Sequence, residues 1–328
     1  MTVDSRVLVV DDDVALLSGL VRNLGHRFDL FTAESGREAI EKVESVGPFA
    51  VILSDIRMPG MDGIQLLHRM AEIAPATVRM ALTGNADQKT AVDAVNLGNV
   101  FRFFTKPAPL QLLAEGLEGA IHHYHLAKEL EKSYEQSIFM LGEAGHYNDT
   151  DTGMHIWRMA SYAGILAAGC GWPAPSVARL KLAAPMHDTG KIGIPDTILK
   201  APRALTAEEW LVMKQHTVIG YKILSKSDSP IFKMAAEIAL CHHEKWDGSG
   251  YPHGLAGDAI PESARIVAMA DVLDALTMKR SYKEPWSIGS AVAEIRRNAG
   301  THFEPRLVDL LEQMLPEIMI TQKKLEEK

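Results

Sequence analysis

The stretch VLVVDDDVALLSGLVRNL, residues 7–24, places a short apolar run, three aspartates and an amphipathic segment directly one after another. Four further apolar runs follow in the first half of the chain, and segments with helical spacing lie between them. Strands that alternate with helices are typical of a parallel sheet covered by helices on both faces. We therefore predict an α/β doubly wound domain with a five-stranded parallel sheet. The predicted strands are 7–10, 28–33, 50–54, 78–82 and 100–104.

Polar residues stand where four of these predicted strands end. Asp11 and Asp12 follow the first strand, Asp55 follows the third, Thr83 closes the fourth, and Lys106 follows the fifth. In parallel sheets the functional crevice lies at the carboxyl ends of the strands, where carboxylates can hold Mg²⁺ through their oxygens. Mg²⁺ and a lysine ammonium together can offset the charge of a phosphoryl group on one carboxylate. The alternative is that the aspartates only cap helices, but all five positions together favour a site.

The motifs VLVVDDD, SDIRMPGMDG, ALTG and FFTKP resemble those of a response-regulator receiver domain over roughly residues 5–122. The resemblance implies that Asp55 accepts a phosphoryl group from a cognate histidine kinase. It also implies Mg²⁺ binding and a switch that responds to the phosphoryl group. The residues with these implied roles are Asp11, Asp12 and the backbone carbonyl of Arg57 for Mg²⁺, Lys106 for the phosphoryl oxygens, and Thr83 and Phe103 for the switch.

A segment with the spacing of one long helix follows the fifth predicted strand. Its apolar positions recur in a 4-3-4-3 rhythm, which is typical of a coiled-coil seam. We predict that this helix, residues 107–140, links two domains and joins two chains in a homodimer. The alternative is a long helix that docks within its own chain. The seam positions are Leu113, Leu117, Ala120, Tyr124 and Ala127.

Composition limits the class of protein. Of the 328 residues, 47% are hydrophobic and 23% are charged, which describes a globular chain long enough for about two domains. The net charge of −8 creates no global field for nucleic acid. No secretory signal or membrane-spanning run is visible, and the two cysteines are far apart. We therefore predict a cytoplasmic protein without a membrane span.

Beyond about residue 140 the strand signal ends and the apolar spacing becomes helical. The segment 246–261, rich in glycine and proline, interrupts this pattern. We predict an all-α helical bundle over residues 141–328. The domain order is then a doubly wound domain at 1–122, the linking helix at 107–140, which overlaps its end, and the bundle.

Histidines and aspartates recur in the second half, inside strongly apolar flanks. Burying that many ionisable groups is expensive unless they are paired or bound to metal, although each histidine alone could be an ordinary core residue. Imidazole and carboxylate together suit iron, manganese, nickel or zinc, and clustered metals hydrolyse phosphate esters by activating water. The array consists of Asp151, His155, His187, Asp188, His216, His242, His243 and Asp271.

Four motifs of the second half resemble the HD-GYP family, a branch of the HD-type metal phosphohydrolases. They are HDTGKIGIPDTIL from 187, MKQHTVIGYKIL from 213, HHEKWDGSGYPHGL from 242 and ADVLDALTMKRSYK from 270. The resemblance implies hydrolysis of cyclic di-GMP to pGpG, with GMP after a second cut, by two or three metal ions. It makes the array the metal ligands, with iron or manganese favoured. Asp151 stands where members with three metals carry glutamate, one methylene longer.

The same resemblance implies catalytic and substrate-binding residues. His187 and Asp188 would hold metals that generate a hydroxide, and Lys191 would stabilise charge in the transition state. Arg280 and Lys283 would supply cations for phosphates, although a solvated basic pair is the alternative. The implied substrate-binding residues are Lys191, Tyr251, Asp274, Arg280 and Lys283. Since Asp271 and Asp274 stand three apart on one predicted helix, both are expected to face one cavity.

Two other functions stay open at this point. One is a catalytically weak signalling protein that binds a cyclic dinucleotide, and the complete ligand set argues against it. The other is a phosphodiesterase for a different cyclic dinucleotide, such as cyclic GMP-AMP. Residue spacing cannot assign guanine-reading groups, so it does not separate this function from cyclic di-GMP hydrolysis.

Overall fold

The computed structural model describes residues 5–84, 100–146, 154–278 and 285–326. By its internal contacts the chain divides into two units, Met1–Ser133 and Tyr134–Lys328. Within the described ranges, no helix combines the length and the apolar character that are needed to cross a membrane.

The first unit is built on the predicted five-stranded parallel sheet, with strand order β2-β1-β3-β4-β5. Alternate residues of the first strand enter different cores, because Val7 and Val9 pack on one face of the sheet and Leu8 and Val10 on the other. Both faces are covered, which explains why this strand is apolar throughout. The strands are β1 Val7–Val10, β2 Leu30–Ala33, β3 Val51–Asp55, β4 Val78–Thr83 and β5 Arg102–Thr105.

Three helices of this unit begin with a capping side chain. Asp13 accepts hydrogen bonds from the amides of Ala15 and Leu16, and Ser35 and Asp62 cap the other two helices. Such caps satisfy amides that the first helical turn leaves without a partner. The third aspartate of the opening motif is therefore the helix cap, which leaves the two before it for another role. These helices are α1 Val14–Leu24, α2 Gly36–Val46 and α3 Gly63–Ile73.

The long helix α4, Leu110–His146, begins in the first unit. There Leu113, Leu117, Ala120 and Tyr124 are buried in the core that also contains one face of the sheet. The predicted coiled-coil seam was therefore wrong over these positions, and the alternative of docking within the chain is what the structure contains. The physical reason is that a 4-3-4-3 rhythm specifies an apolar stripe but not the surface that covers it.

The second unit is helical, as the apolar spacing predicted. The glycine-rich segment contains no α-helix among the described residues and only one short 3₁₀ turn, Gly257–Ala259. Two more 3₁₀ turns, Ala184–Met186 and Thr189–Gly193, flank the HD motif. The helices are α5 Met154–Gly169, α6 Ala174–Ala183, α7 Asp196–Leu199, α8 Ala207–Leu224, α9 Pro230–Cys241, α10 Glu262–Thr277, α11 Ile288–Arg297 and α12 Pro305–Glu326.

Glycine at position 190 lets the turn after the HD motif approach α8. A Cβ atom on Gly190 would lie 1.8 Å from the backbone oxygen of His216 and 2.4 Å from the amide nitrogen of Gly220. Since both obstacles are backbone atoms, a side chain at this position would push the turn away from the helix. The close approach brings Asp188 within reach of His216.

Candidate metal centre

In the first unit, the carboxyl ends of β1 and β3 bring three aspartates together. Asp11, Asp12 and Asp55 each offer an oxygen, and these oxygens lie within 4.8 Å of one another. Lys106 Nζ lies 2.6 Å from Asp11 Oδ2 and 3.2 Å from Asp55 Oδ2. Burial raises the pKa of Asp55, and the Lys106 ammonium offsets only part of that effect. Four residues that the sequence analysis connected with Mg²⁺ and a phosphoryl group are thus adjacent.

The other three receiver residues occupy different surroundings. Thr83 is buried at the end of β4, and its backbone oxygen accepts a hydrogen bond of 2.7 Å from the Lys106 amide. This backbone hydrogen bond therefore places Thr83 and Lys106 next to each other, on neighbouring strand ends. Phe103 lies on β5 and is 49% exposed, and Arg57, just after Asp55, is also exposed.

In the second unit, seven residues of the histidine and aspartate array form two ligand groups. Each group offers one ligand atom per residue, and within a group these atoms lie within 4.8 Å of one another. The residues come from α5, the turn after α6, α8, the end of α9 and α10, so only the folded bundle brings them together. Ligand group A is Asp188, His216, His242 and His243, and ligand group B is His155, His187 and Asp271.

Asp188 connects the two ligand groups through its two carboxylate oxygens. Its Oδ1 lies 3.4 Å from His216 Nε2 and 3.7 Å from His242 Nε2. Its Oδ2 lies 3.3 Å from His187 Nε2 and 2.7 Å from Lys191 Nζ. A carboxylate with this geometry can bridge two cations, one in each group.

Backbone carbonyls set the orientation of three of these imidazoles. The Nδ1 atom of His187 lies 3.0 Å from the Ala184 oxygen, and that of His216 lies 2.8 Å from the Met213 oxygen. His242 Nδ1 lies 3.1 Å from two carbonyl oxygens of α9. An imidazole that donates from Nδ1 keeps the lone pair of Nε2 for a metal, and this is the usual arrangement of metal-bound histidine.

The surroundings of Nε2 fit a bound cation. In the described part of the chain, Nε2 of His216 and Nε2 of His242 are buried and have no hydrogen-bond partner. Burial lowers the pKa of His216 to about 4, so at neutral pH this imidazole is neutral and its Nε2 is an acceptor. Burial also lowers the pKa of His243. Neutral imidazoles turned toward a carboxylate bring several electron pairs together, which a divalent metal ion would stabilise.

Ligand group B has a different electrostatic character. His155 Nε2 lies 3.3 Å from Asp271 Oδ1, and His155 Nδ1 lies 2.6 Å from Asp274 Oδ2. Burial alone would lower the pKa of His155, but the hydrogen bonds with Asp271 and Asp274 outweigh it and raise the pKa to about 10. Without metal this imidazole is therefore a cation between two carboxylates, so a metal at group B must replace the proton on Nε2.

Asp274, which the family resemblance placed around the substrate, has its described partners inside the bundle. The residue is fully buried, at 0% exposure. Its Oδ1 accepts a hydrogen bond of 2.8 Å from Arg158 Nε, and its Oδ2 lies 3.0 Å from an Arg158 NH2 group as well as against His155. Asp271 and Asp274 therefore contact opposite nitrogens of one imidazole, Asp271 at Nε2 and Asp274 at Nδ1 of His155. Sequence reasoning also missed Arg158, although its position three residues after His155 was an available signal.

The glycine-rich segment folds over the end of α9. The Tyr251 ring stacks on the His243 ring, with 4.7 Å between centroids and 26° between planes. Lys214 Nζ lies 5.1 Å from the Tyr251 ring centroid. Glu244, which is 3% exposed, accepts hydrogen bonds from the amides of His253 and Leu255 at 2.7 and 3.0 Å. Tyr251 was predicted from the sequence, whereas Lys214 and Glu244 were not. The only sequence signal for Glu244 was its position directly after two histidines.

The remaining predicted site residues are placed as follows. Lys191 is part of the centre through its contact with Asp188, and its side chain is 18% exposed. Three residues lie outside the described part of the chain, so the structure does not test them. They are Asp151, Arg280 and Lys283.

Comparison with known proteins agrees with this division into a sheet unit and a metal-site unit. The family model of the response regulator receiver domain matches residues 7–118, and that of the HD domain matches residues 126–307. A cyclic di-GMP phosphodiesterase of Thermotoga maritima is 36% identical over an alignment of 338 positions, gaps included, which covers 95% of this chain and 91% of that protein. The cyclic di-GMP phosphodiesterase response regulator RpfG of Xanthomonas campestris pv. campestris is 35% identical, with 93% and 86% covered.

A further relative matches the second half alone. The 3'3'-cGAMP-specific phosphodiesterase 2 of Vibrio cholerae is 44% identical over 187 residues, which cover 57% of this chain and 36% of that protein. The class defined by fold, site and comparisons is a response regulator in which a receiver domain precedes an HD-type hydrolase domain. Within that class the chain belongs to the cyclic di-GMP phosphodiesterase family, and the predicted resemblances to the receiver and HD-GYP families are confirmed.

Proposed function

We propose that this chain hydrolyses cyclic di-GMP to linear pGpG, and to GMP after a second cut, at metals bound by ligand groups A and B. The observation that supports this most is the Asp188 carboxylate, whose two oxygens face imidazoles of both groups. A carboxylate shared in this way would hold one cation in each ligand group, and two nearby cations would supply charge stabilisation for displacement at phosphorus. The mixed imidazole and carboxylate donors suit iron and manganese, with nickel and zinc as alternatives.

The chain's own residues orient the reaction around these metals. When bound, the metals supply a water of lowered pKa and polarise a phosphoryl oxygen. Lys191 Nζ lies 2.7 Å from Asp188 Oδ2, where its charge can stabilise the phosphoryl oxygens of the transition state. His216 keeps its Nε2 lone pair available at neutral pH because its pKa is lowered to about 4. Catalysis in this proposal depends on His187, Asp188 and Lys191.

Substrate binding and the third metal involve three residues that the structure does not describe, Asp151, Arg280 and Lys283. Arg280 and Lys283 would bind phosphate groups of the substrate. Tyr251, stacked on His243, would line the mouth of the centre. Asp151 would join His155 in holding a third metal ion.

Regulation through the receiver domain is the remaining part of the proposal. A cognate histidine kinase would phosphorylate Asp55 in the receiver domain, residues 1–122, with Mg²⁺ bound by Asp11, Asp12 and the Arg57 carbonyl. Phosphorylation adds roughly one and a half to two negative charges. Lys106 and Thr83 would contact the phosphoryl group, and Phe103 would change its packing in response. The helix 107–140 would carry the change to the hydrolase domain, residues 141–328. A homodimer through this helix stays a prediction. Its interface would not include the positions of α4 that are buried within the chain.

Turnover by protein purified without oxygen tests the proposal directly. Wild type should convert cyclic di-GMP to pGpG and should contain two or three metal ions per chain, measured on the same sample. Asp188→Asn should lose turnover, whereas Asp196→Asn, which changes an exposed aspartate that pairs with exposed Lys200, should retain it. Metal-loaded wild type that hydrolyses no cyclic dinucleotide would contradict the proposal.

A second substrate has one observation in its favour. The cyclic GMP-AMP-specific relative is 44% identical to the second half of this chain, against 36% for the cyclic di-GMP relative that matches nearly the whole chain. Over a similar part of this chain, a cyclic di-GMP phosphodiesterase of Vibrio cholerae is 41% identical, so sequence identity does not separate the two substrates and both have to be tested. Competition between cyclic di-GMP and cyclic GMP-AMP in one reaction gives the ratio of their kcat/KM values, which decides between them.

A further inference from the structure

We infer that Asp274 is a positioning residue of the metal centre, which holds His155 in the orientation and tautomer that ligand group B requires, and that Arg158 in turn holds Asp274. The inference deepens the proposed function because it rests on metal binding by group B. It replaces the expected contact of Asp274 with substrate by an action through His155.

The geometry gives Asp274 a single set of partners. Its Oδ2 lies 2.6 Å from His155 Nδ1, while Arg158 approaches both carboxylate oxygens, at 2.8 and 3.0 Å. The three residues are buried, with exposures of 0% for Asp274, 5% for His155 and 5% for Arg158. A side chain enclosed in this way cannot reach a substrate at the mouth of the centre.

The tautomer of His155 follows from this contact. A carboxylate only accepts hydrogen bonds, so the proton that faces Asp274 must be carried by His155 Nδ1. The opposite ring nitrogen, Nε2, then faces Asp271, 3.3 Å away, and is the atom that group B offers to a metal. In the other buried imidazoles of the centre, Nδ1 donates a hydrogen bond to a backbone carbonyl. In His155, Nδ1 donates to a charged carboxylate, which raises the basicity of the ligand.

Arg158 compensates the charge of the buried Asp274 carboxylate and fixes its orientation. It stands three residues after His155, so both side chains leave α5 on the same face and meet Asp274 of α10 together. The paired approach of a guanidinium to two carboxylate oxygens leaves little rotational freedom. A carboxylate buried without this partner would be strongly destabilised.

A purely structural ion pair is the competing interpretation, and the chain contains a matched example. Glu304 is 6% exposed and binds Arg265 and Arg306 at 2.5 Å each, but it touches no residue of either ligand group. Glu304→Gln therefore removes the charge of a buried carboxylate that pairs with arginine, as Asp274→Asn does, but it leaves the metal centre unchanged. It is the control for every effect that arises from lost stability alone.

The experiment measures metal affinity with the full-length chain. Chelator-treated wild type, Asp274→Asn, Arg158→Lys and Glu304→Gln are dialysed against graded free Mn²⁺, and bound metal is measured. The amide of Asp274→Asn presents N–H groups toward donors, which disfavours the His155 tautomer. We expect about 10- to 100-fold weaker binding of one metal in Asp274→Asn, a smaller loss in Arg158→Lys, and none in Glu304→Gln.

Two reference variants identify which metal is affected. The binding curve of Asp274→Asn should resemble that of His155→Ala, in group B, and not that of His216→Ala, in group A. Because Asp274 acts through His155, the double variant His155→Ala with Asp274→Asn should bind metal no more weakly than His155→Ala alone. A structural role would make the two losses add.

Several results would overturn the inference. Unchanged metal affinity in folded Asp274→Asn, equal losses in Asp274→Asn and Glu304→Gln, or additive losses in the double variant would each do so. If Asp274→Asn does not fold, Arg158→Lys decides, because unchanged Mn²⁺ binding in that variant contradicts the inference. None of these measurements uses turnover, so a failure of the proposed phosphodiesterase activity would be seen separately, in the wild-type assay.

Discussion

The raised pKa of His155 predicts how the stability of the metal-free protein depends on pH. The folded pKa is about 10, against 6.5 for an unperturbed histidine, and the side chain is only 7% exposed. The folded state therefore binds this proton more tightly than the unfolded state. The resulting stability is fully present below about pH 6.5 and is lost as the pH rises through about 10. The difference between the two pKa values corresponds to roughly 5 kcal/mol of unfolding free energy. This figure is an upper limit, because the ion pair with His155 also lowers the pKa of Asp271 and its energy must be counted only once.

The perturbation is a pH series on chelator-treated wild type and on His155→Gln. Urea unfolding is followed by tryptophan fluorescence, which reports the second unit alone because all five tryptophans, from Trp157 to Trp286, lie there. The difference in unfolding free energy between wild type and variant should be largest near about pH 6 and should shrink toward about pH 10. Titrating groups that do not contact His155 are common to both proteins and cancel in this difference, and Asp271, whose pKa the His155 contact lowers, affects the difference at acidic pH. Parallel curves for the two proteins over the whole range would refute the reasoning.

Three further predictions concern the site, the core and the switch. Asp188→Asn should lose most of its bound metal and at least about 100-fold in turnover, measured on one sample, and full metal content would contradict the bridging role. Leu117→Ala should lower the unfolding free energy of the first unit by about 2–5 kcal/mol, followed by circular dichroism, without changing the mass measured by light scattering; a dissociated dimer would restore the coiled-coil interpretation. A small-molecule phosphodonor with Mg²⁺ should change turnover in wild type but not in Asp55→Asn, and equal responses would remove the regulatory role of Asp55.

Much of the fold could be predicted because its signals are local. The alternation of buried strands with amphipathic helices is a property of short segments, and the structure contains the five strands close to their expected bounds. The candidate ligands could be named for a related reason. Imidazoles and carboxylates inside apolar flanks are costly to bury, so their presence there already indicated partners or a metal.

The partners of individual side chains could not be predicted in the same way. Asp271 and Asp274 are three residues apart on one helix, yet one belongs to ligand group B and the other is enclosed by residues 116 and 119 positions away. Helical spacing gives the direction in which a side chain leaves its own helix. It carries no information about the helix that lies opposite.

Sequence by itself therefore determined the class of each unit, the order of its elements and the chemical types gathered for the site. Only the tertiary structure decided that the stripe on α4 packs against the sheet, that Asp188 faces both ligand groups, and that Arg158 and Asp274 support His155. The physical reason is that periodicity and residue type are local properties of the chain. Burial, hydrogen-bond geometry and charge pairing depend on which distant segments meet, and packing of the whole unit sets that.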